Sequence, residues 1–133
     1  MDKKLAEEMI ELAIGQLQYS YTPYSGFKVG AALLTEDGRV YSGVNIENSS
    51  YGATICAERT AFVKAISEGE KQFTAIAVYA EGEEASPCGI CRQFMYEFAP
   101  EIMVITGTSR DELNVRTLTE LLPVGFSLKG GNK

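Results

Sequence analysis

The chain has 133 residues, with 18 acidic against 12 basic side chains and no histidine. That length suits one domain over residues 1–133, able to bury roughly two thirds of its unfolded surface. A net charge of −6 without a run of Lys or Arg argues against a polynucleotide partner, whose phosphates need clustered cations. No apolar run nears the ~20 residues of a membrane span, so the expectation is a soluble, cytoplasmic protein without a membrane partner.

Residues 3–19 place Leu5, Met9, Leu12, Ala13 and Leu17 mostly three and four apart, the apolar stripe of a helix that covers a core. Tyr21-Thr22-Pro23-Tyr24-Ser25-Gly26 is a turn segment. Phe27 to Leu34 reads as a strand with Phe27, Val29, Ala31 and Leu33 on one face. Asp37-Gly38 marks a hairpin, and Val40 to Val44 returns as the second strand. Asn45 and Glu47 follow two apart, so an extended backbone aims both the same way. An amide beside a carboxylate suits sugar hydroxyls, and it equally suits a polar strand end.

Asn48 to Gly52 is a loop, after which Thr54 or a neighbour caps a helix through Cys56, Arg59, Phe62, Val63 and Ile66 that ends near Gly69. Phe73 to Ala80 is almost wholly apolar, as a strand covered on both faces is. Glu81 to Ala85 reads as a solvated acidic loop. Gly89 to Phe98 is a helix closed before Pro100, Ile102 to Thr106 a buried strand, Val115 to Leu122 a short helix, and Phe126 the single aromatic of an irregular tail. Strands alternating with helices imply a sheet with helices packed on its faces.

All three cysteines fall in two short segments, Thr54-Ile55-Cys56-Ala57-Glu58-Arg59 and Ser86-Pro87-Cys88-Gly89-Ile90-Cys91-Arg92-Gln93. An odd number leaves a thiol over after one disulfide, so in a reducing compartment a metal is the better reading. Cys88 and Cys91 have the spacing at which two thiolates grip one zinc from a helix start, and Cys56 supplies a third. With no fourth Cys and no His, the site stays open at one position, as catalytic zinc sites do. Three thiolates acidify water less than three imidazoles, and Arg59 and Arg92 are candidates to offset their charge. Glu58, two residues from a ligand, suits a proton carrier better than a ligand. It also suits an ordinary exposed helix position.

Zinc nucleobase deaminases carry a ligand-x-Glu segment followed by Pro-Cys-x-x-Cys, matched here by Cys56-Ala57-Glu58 and Pro87-Cys88-Gly89-Ile90-Cys91. Together with Tyr24-Ser25-Gly26-Phe27-Lys28-Val29-Gly30-Ala31-Ala32-Leu33 and Gly43-Val44-Asn45-Ile46-Glu47-Asn48, the chain resembles the small, all-cysteine, homotetrameric cytidine deaminases from about Tyr19 to Phe126. The resemblance implies a single mixed sheet of about five strands with helices on both faces. It implies one Zn2+ per chain on Cys56, Cys88 and Cys91, and Glu58 as proton shuttle. Phe27 lies against the pyrimidine, the Ala57 N–H holds the base, Asn45 and Glu47 hold the ribose, and Arg59 neutralises thiolate charge. Tyr51 and Phe126 reach a neighbouring subunit's site. The implied reaction is hydrolytic deamination of cytidine and deoxycytidine in pyrimidine salvage.

Three other readings remain. A blasticidin S-type deaminase shares the cysteine segments, although Asn45, Glu47 and Arg59 favour the plain nucleoside. A thioredoxin-like redox protein would use Cys88-Gly89-Ile90-Cys91, leaving Cys56 and Glu58 idle. A zinc-stabilised binding domain would need neither the open position nor Glu58.

Overall fold

The computed structural model describes residues 1–129, so the last four residues of the expected 1–133 span lie outside it. Five strands form one sheet in the order β2-β1-β3-β4-β5. They are β1 (Val29–Thr35), β2 (Val40–Val44), β3 (Phe73–Ala80), β4 (Met103–Ser109) and β5 (Glu112–Thr117). Among these strand pairs β3–β4 is parallel, and β1–β2, β1–β3 and β4–β5 are antiparallel. The sheet is therefore mixed, as expected.

Helices cover both faces because the strands are apolar on both. In β3, Ile76 and Val78 point one way and Ala75 and Ala77 the other. On one face α1 (Lys3–Gln16) lays Ala6, Met9, Ile10 and Ala13 over Ala75, Ala77 and Ile105. On the other, α2 (Ala57–Ser67) and α3 (Gly89–Phe98) pack Ala61, Phe62 and Met95 against Ala31, Leu33, Ile76 and Val104. Two glycines let the helices sit close. A Cβ at Gly30 would lie 2.1 Å from the Ala13 carbonyl oxygen, and one at Gly43 2.3 Å from that of Ala57.

Three expectations need correction. The buried stripe of α1 is Ala6, Met9, Ile10 and Ala13, whereas Leu12 is exposed. Small alanines, rather than leucines, allow the close approach over Gly30. The first strand begins at Val29, and Phe27 stands outside it because Asn45 captures the backbone on either side, as described below. Finally, Val115 to Thr117 belongs to β5, and the helix α4 covers only Leu118–Leu121. Thr117 and Glu120 form a reciprocal capping box that sets this late start.

The catalytic-looking segments sit at helix starts. Cys56 is the N-cap of α2, and Cys88 is the N-cap of α3, both in extended backbone. Because α3 crosses from β3 to the parallel β4, its N-terminus lies beyond the carboxyl end of β3, the place where open α/β sheets bind ligands.

Candidate metal and active site

The three cysteine sulfurs all lie within 4.8 Å of one another, although Cys56 and Cys88 are 32 residues apart in sequence. The Cys56 and Cys88 sulfurs are 3.9 Å apart, far longer than a disulfide. Thiolates at tetrahedral positions around zinc, each at about 2.3 Å, stand about 3.8 Å apart. The Cys56–Cys88 spacing matches that value, and the three sulfurs together are close enough to gather round one zinc ion. Cys91 is buried, Cys56 partly buried and Cys88 exposed, so the group is closed on one side and open on the other.

The surroundings favour anionic sulfur. Cys56 precedes the free N–H groups of α2, where the helix dipole favours negative charge. A hydrogen bond from Cys91, then the Arg59 guanidinium, lowers the Cys56 thiol to about 5. Cys91 is correspondingly raised, chiefly because it donates to Cys56 and because it is buried. Arg59 Nη2 lies 3.8 Å from Cys56 Sγ and 3.4 Å from the Thr54 carbonyl oxygen, and its buried Nε has no partner among the described residues. Arg92 differs from expectation. It donates to the carbonyl oxygens of Pro87 and Leu121, each at 2.7 Å, and to Ser86 Oγ at 2.9 Å. It ties the cysteine loop to α4 and does not reach a sulfur.

Glu58 sits at the second position of α2, 4% exposed. Burial first, and then the neighbouring Cys56 thiolate, pushes its carboxyl up to about 7. It lines a cavity of about 350 Å³ together with Phe27, Asn45, Cys56, Ala57 and Cys88. A carboxyl poised near neutrality on the wall of a cavity beside a metal-ready cluster can both accept and return a proton.

Asn45 lines this cavity, and Glu47 does not. The Asn45 amide accepts from the Val29 N–H at 3.0 Å and donates to the Phe27 carbonyl oxygen at 2.7 Å. It thereby fixes Phe27 at the cavity wall. Glu47 accepts from the Tyr24 and Ser25 N–H groups at 3.0 and 3.2 Å and from the Ser25 hydroxyl, and it lines a second groove with Tyr24, Tyr51 and Thr54. Tyr51 is 83% exposed and Phe126 60%, and neither lines the main cavity. The Phe126 carbonyl oxygen accepts from Gln93 Nε2 at 2.8 Å, which anchors the tail beside α3. Sequence reasoning missed Glu83, Glu84, Ala85 and Ser86, which form one side of the cavity. Their only signal was adjacency to Pro87-Cys88.

An open three-sulfur centre at a strand-to-helix crossing, with a buried carboxyl at its side, defines a zinc-dependent hydrolase of the α/β type. The family model described as the zinc-binding region of cytidine and deoxycytidylate deaminases matches residues 3–106, and the chain belongs to that family. A cytidine deaminase of Sporosarcina psychrophila is 48% identical over 123 residues, covering 91% of this chain and 90% of that one. The crystal structure of cytidine deaminase from Burkholderia pseudomallei superposes with a TM-score of 0.85 at 44% identity, covering 90% of this chain and 97% of that one. A blasticidin-S deaminase of Bacillus cereus is more distant, 33% identical over 129 residues, covering 90% of this chain and 91% of that one.

Proposed function

We propose that this protein converts cytidine and deoxycytidine, with water, to uridine and deoxyuridine and ammonia, in pyrimidine salvage. The observation that carries the reading is Glu58, buried on a cavity wall beside three clustered sulfurs and held near neutrality. Cys56, Cys88 and Cys91 hold one zinc per chain. When bound, zinc acidifies water and so supplies a nucleophile near pH 7.

The remaining steps belong to this chain's own residues. Glu58 takes a proton from the attacking water as its oxygen bonds to C4 of the base, and places that proton on N3. Glu58 then carries a second proton to the exocyclic amino group, which leaves as ammonia as the C4 carbonyl forms. The Ala57 N–H orients the base, Phe27 packs against the ring, and Arg59 balances the thiolate charge. Asn45 and Glu47 hold the ribose hydroxyls. A carboxylate has about four acceptor sites, and Glu47 uses three on Tyr24 and Ser25, so it keeps one for a hydroxyl. Tyr51 and Phe126, both exposed, complete a neighbour's site in a cytoplasmic homotetramer.

The test is an ultraviolet assay on free cytidine. Uridine should form, the activity should vanish after prolonged chelation, and zinc should restore it. Protein with one zinc per chain that leaves cytidine unchanged while consuming blasticidin S would assign it to the other deaminase class. Metal-free protein with a reversible Cys88–Cys91 dithiol would instead support the redox reading. Light scattering tests the assembly: a tetramer mass is expected, and a stable active monomer would refute the shared site.

A further inference from the structure

The segment 81–87 runs from the end of β3 to the cap of α3 and supplies Glu83, Glu84, Ala85 and Ser86 to the cavity wall. It has two anchors. Near its end, Arg92 grips Ser86 and the Pro87 carbonyl oxygen. In its middle, one oxygen of Glu84 receives three groups from the sheet. Thr106 Oγ1 donates at 2.5 Å, Asn114 Nδ2 donates at 2.8 Å, and Arg116 Nη1 lies 3.7 Å away as a looser ion pair.

The register explains why these groups converge. Thr106 pairs with Asn114 and Val104 with Arg116 across β4 and β5. Partners in an antiparallel pair share a face, as do residues two apart on one strand. All four therefore lie on the face where Val104 joins the core under α2 and α3. Thr106 is buried at 3% exposure, and among the described residues Glu84 is the side-chain partner of its hydroxyl. A buried hydroxyl without a partner is costly, so the sheet and the strap hold each other.

We propose that Glu84 is a positioning residue: its carboxylate latches the strap to β4 and β5 and so sets the shape of the substrate cavity. The proposal rests on the deaminase reading for its kinetic arm only. Substrate contacts the latched wall, so an unlatched chain must close the strap before it binds. The apparent affinity then falls by the fraction latched, while saturating substrate recaptures the closed form.

One hydrogen bond to a carboxylate is worth roughly tenfold or more in the latched-to-free ratio. Glu84→Ala loses both hydrogen bonds and the ion pair at once, so the latched form becomes the minority and the KM for cytidine should rise several-fold, roughly two- to tenfold, with kcat within about threefold and zinc content unchanged. Glu84→Gln, which keeps an acceptor in place, should restore most of the affinity. Thr106→Val, which leaves Asn114 and Arg116 on Glu84, should raise KM less than Glu84→Ala does and add little to it, because both break the same contact. Hydrogen exchange over residues 81–88 gives a readout independent of turnover, and the strap should exchange roughly tenfold faster in Thr106→Val. Unchanged strap exchange in Thr106→Val overturns the latch whatever the substrate is. An unchanged KM in Glu84→Ala, or a fall in kcat and zinc together, overturns its role in binding. Wild-type protein inert toward cytidine would defeat the deaminase reading, and the exchange result would still decide the latch.

Discussion

Gly43→Ala should damage the site through the scaffold alone. Gly43 lies in β2 opposite Ala31, directly beneath the start of α2. A Cβ there would stand 2.3 Å from the Ala57 carbonyl oxygen and 2.6 Å from the Ala61 nitrogen. Both neighbours are helix backbone and cannot rotate away. Relieving the first contact to an ordinary 3.4 Å moves the first turn of α2 by about 1 Å. Overpacking of this kind costs about 1–3 kcal/mol, or a drop of roughly 4–12 °C in Tm for a chain this size. The same turn carries Cys56 and Glu58, and a 1 Å misplacement of reacting groups can cost about 10²-fold in rate. Gly30→Ala is the control. Its Cβ meets the Ala13 carbonyl oxygen of α1 on the opposite face, so stability should fall with much less effect on kcat. The assay compares Tm and kcat at saturating cytidine for the two variants. If Gly43→Ala retains wild-type Tm and kcat, the close approach of β2 to α2 does not position the site.

Cys88→Ser should lose zinc and Tm together, because zinc binding at such a site, about 10–16 kcal/mol in small zinc domains, is also folding energy; full zinc occupancy in this variant would remove Cys88 from the ligand set. Acid should destabilise the protein below the ordinary glutamate value of 4.5. Glu47 is held below that value chiefly by the Ser25 hydroxyl, and Glu120 by the Thr117 backbone N–H. Their contributions are complete above 4.5 and fade as pH falls through the lowered values, since the unfolded chain then binds more protons. Glu47→Gln and Glu120→Gln should each flatten the fall of Tm between pH 4.5 and lower pH, and an unchanged slope in both would contradict the assignment.

Much of this architecture was legible because its signals are local. The apolar run of β3 and the Pro-bounded α3 agree with the structure at both ends. The Asp-Gly hairpin also holds, with Gly38 at φ 89°. β5 was hidden because its Asn114 and Arg116 are polar, and Leu118 to Leu122 beside it carry a helical composition. The cysteine cluster was legible from spacing and from scarcity, as the chain has three cysteines and no histidine. The function of Glu84 was not, because its partners Thr106 and Asn114 lie 22 and 30 residues away and come to it only through sheet register. Nor does spacing reveal that Asn45 braces Phe27 while Glu47 faces another groove, since their partners, the backbone of Phe27 and Val29 for one and Tyr24 and Ser25 for the other, lie 16 to 23 residues away.

The central claim is that one buried carboxyl moves the protons at an open three-sulfur zinc site. Its most direct test is the initial rate of uridine formation by zinc-replete Glu58→Gln, which keeps the shape of the side chain and removes its proton capacity. A loss of about 10²–10⁴-fold or more, with one zinc per chain retained, is the expected result. A rate near that of the wild type, at the same zinc content, would contradict it.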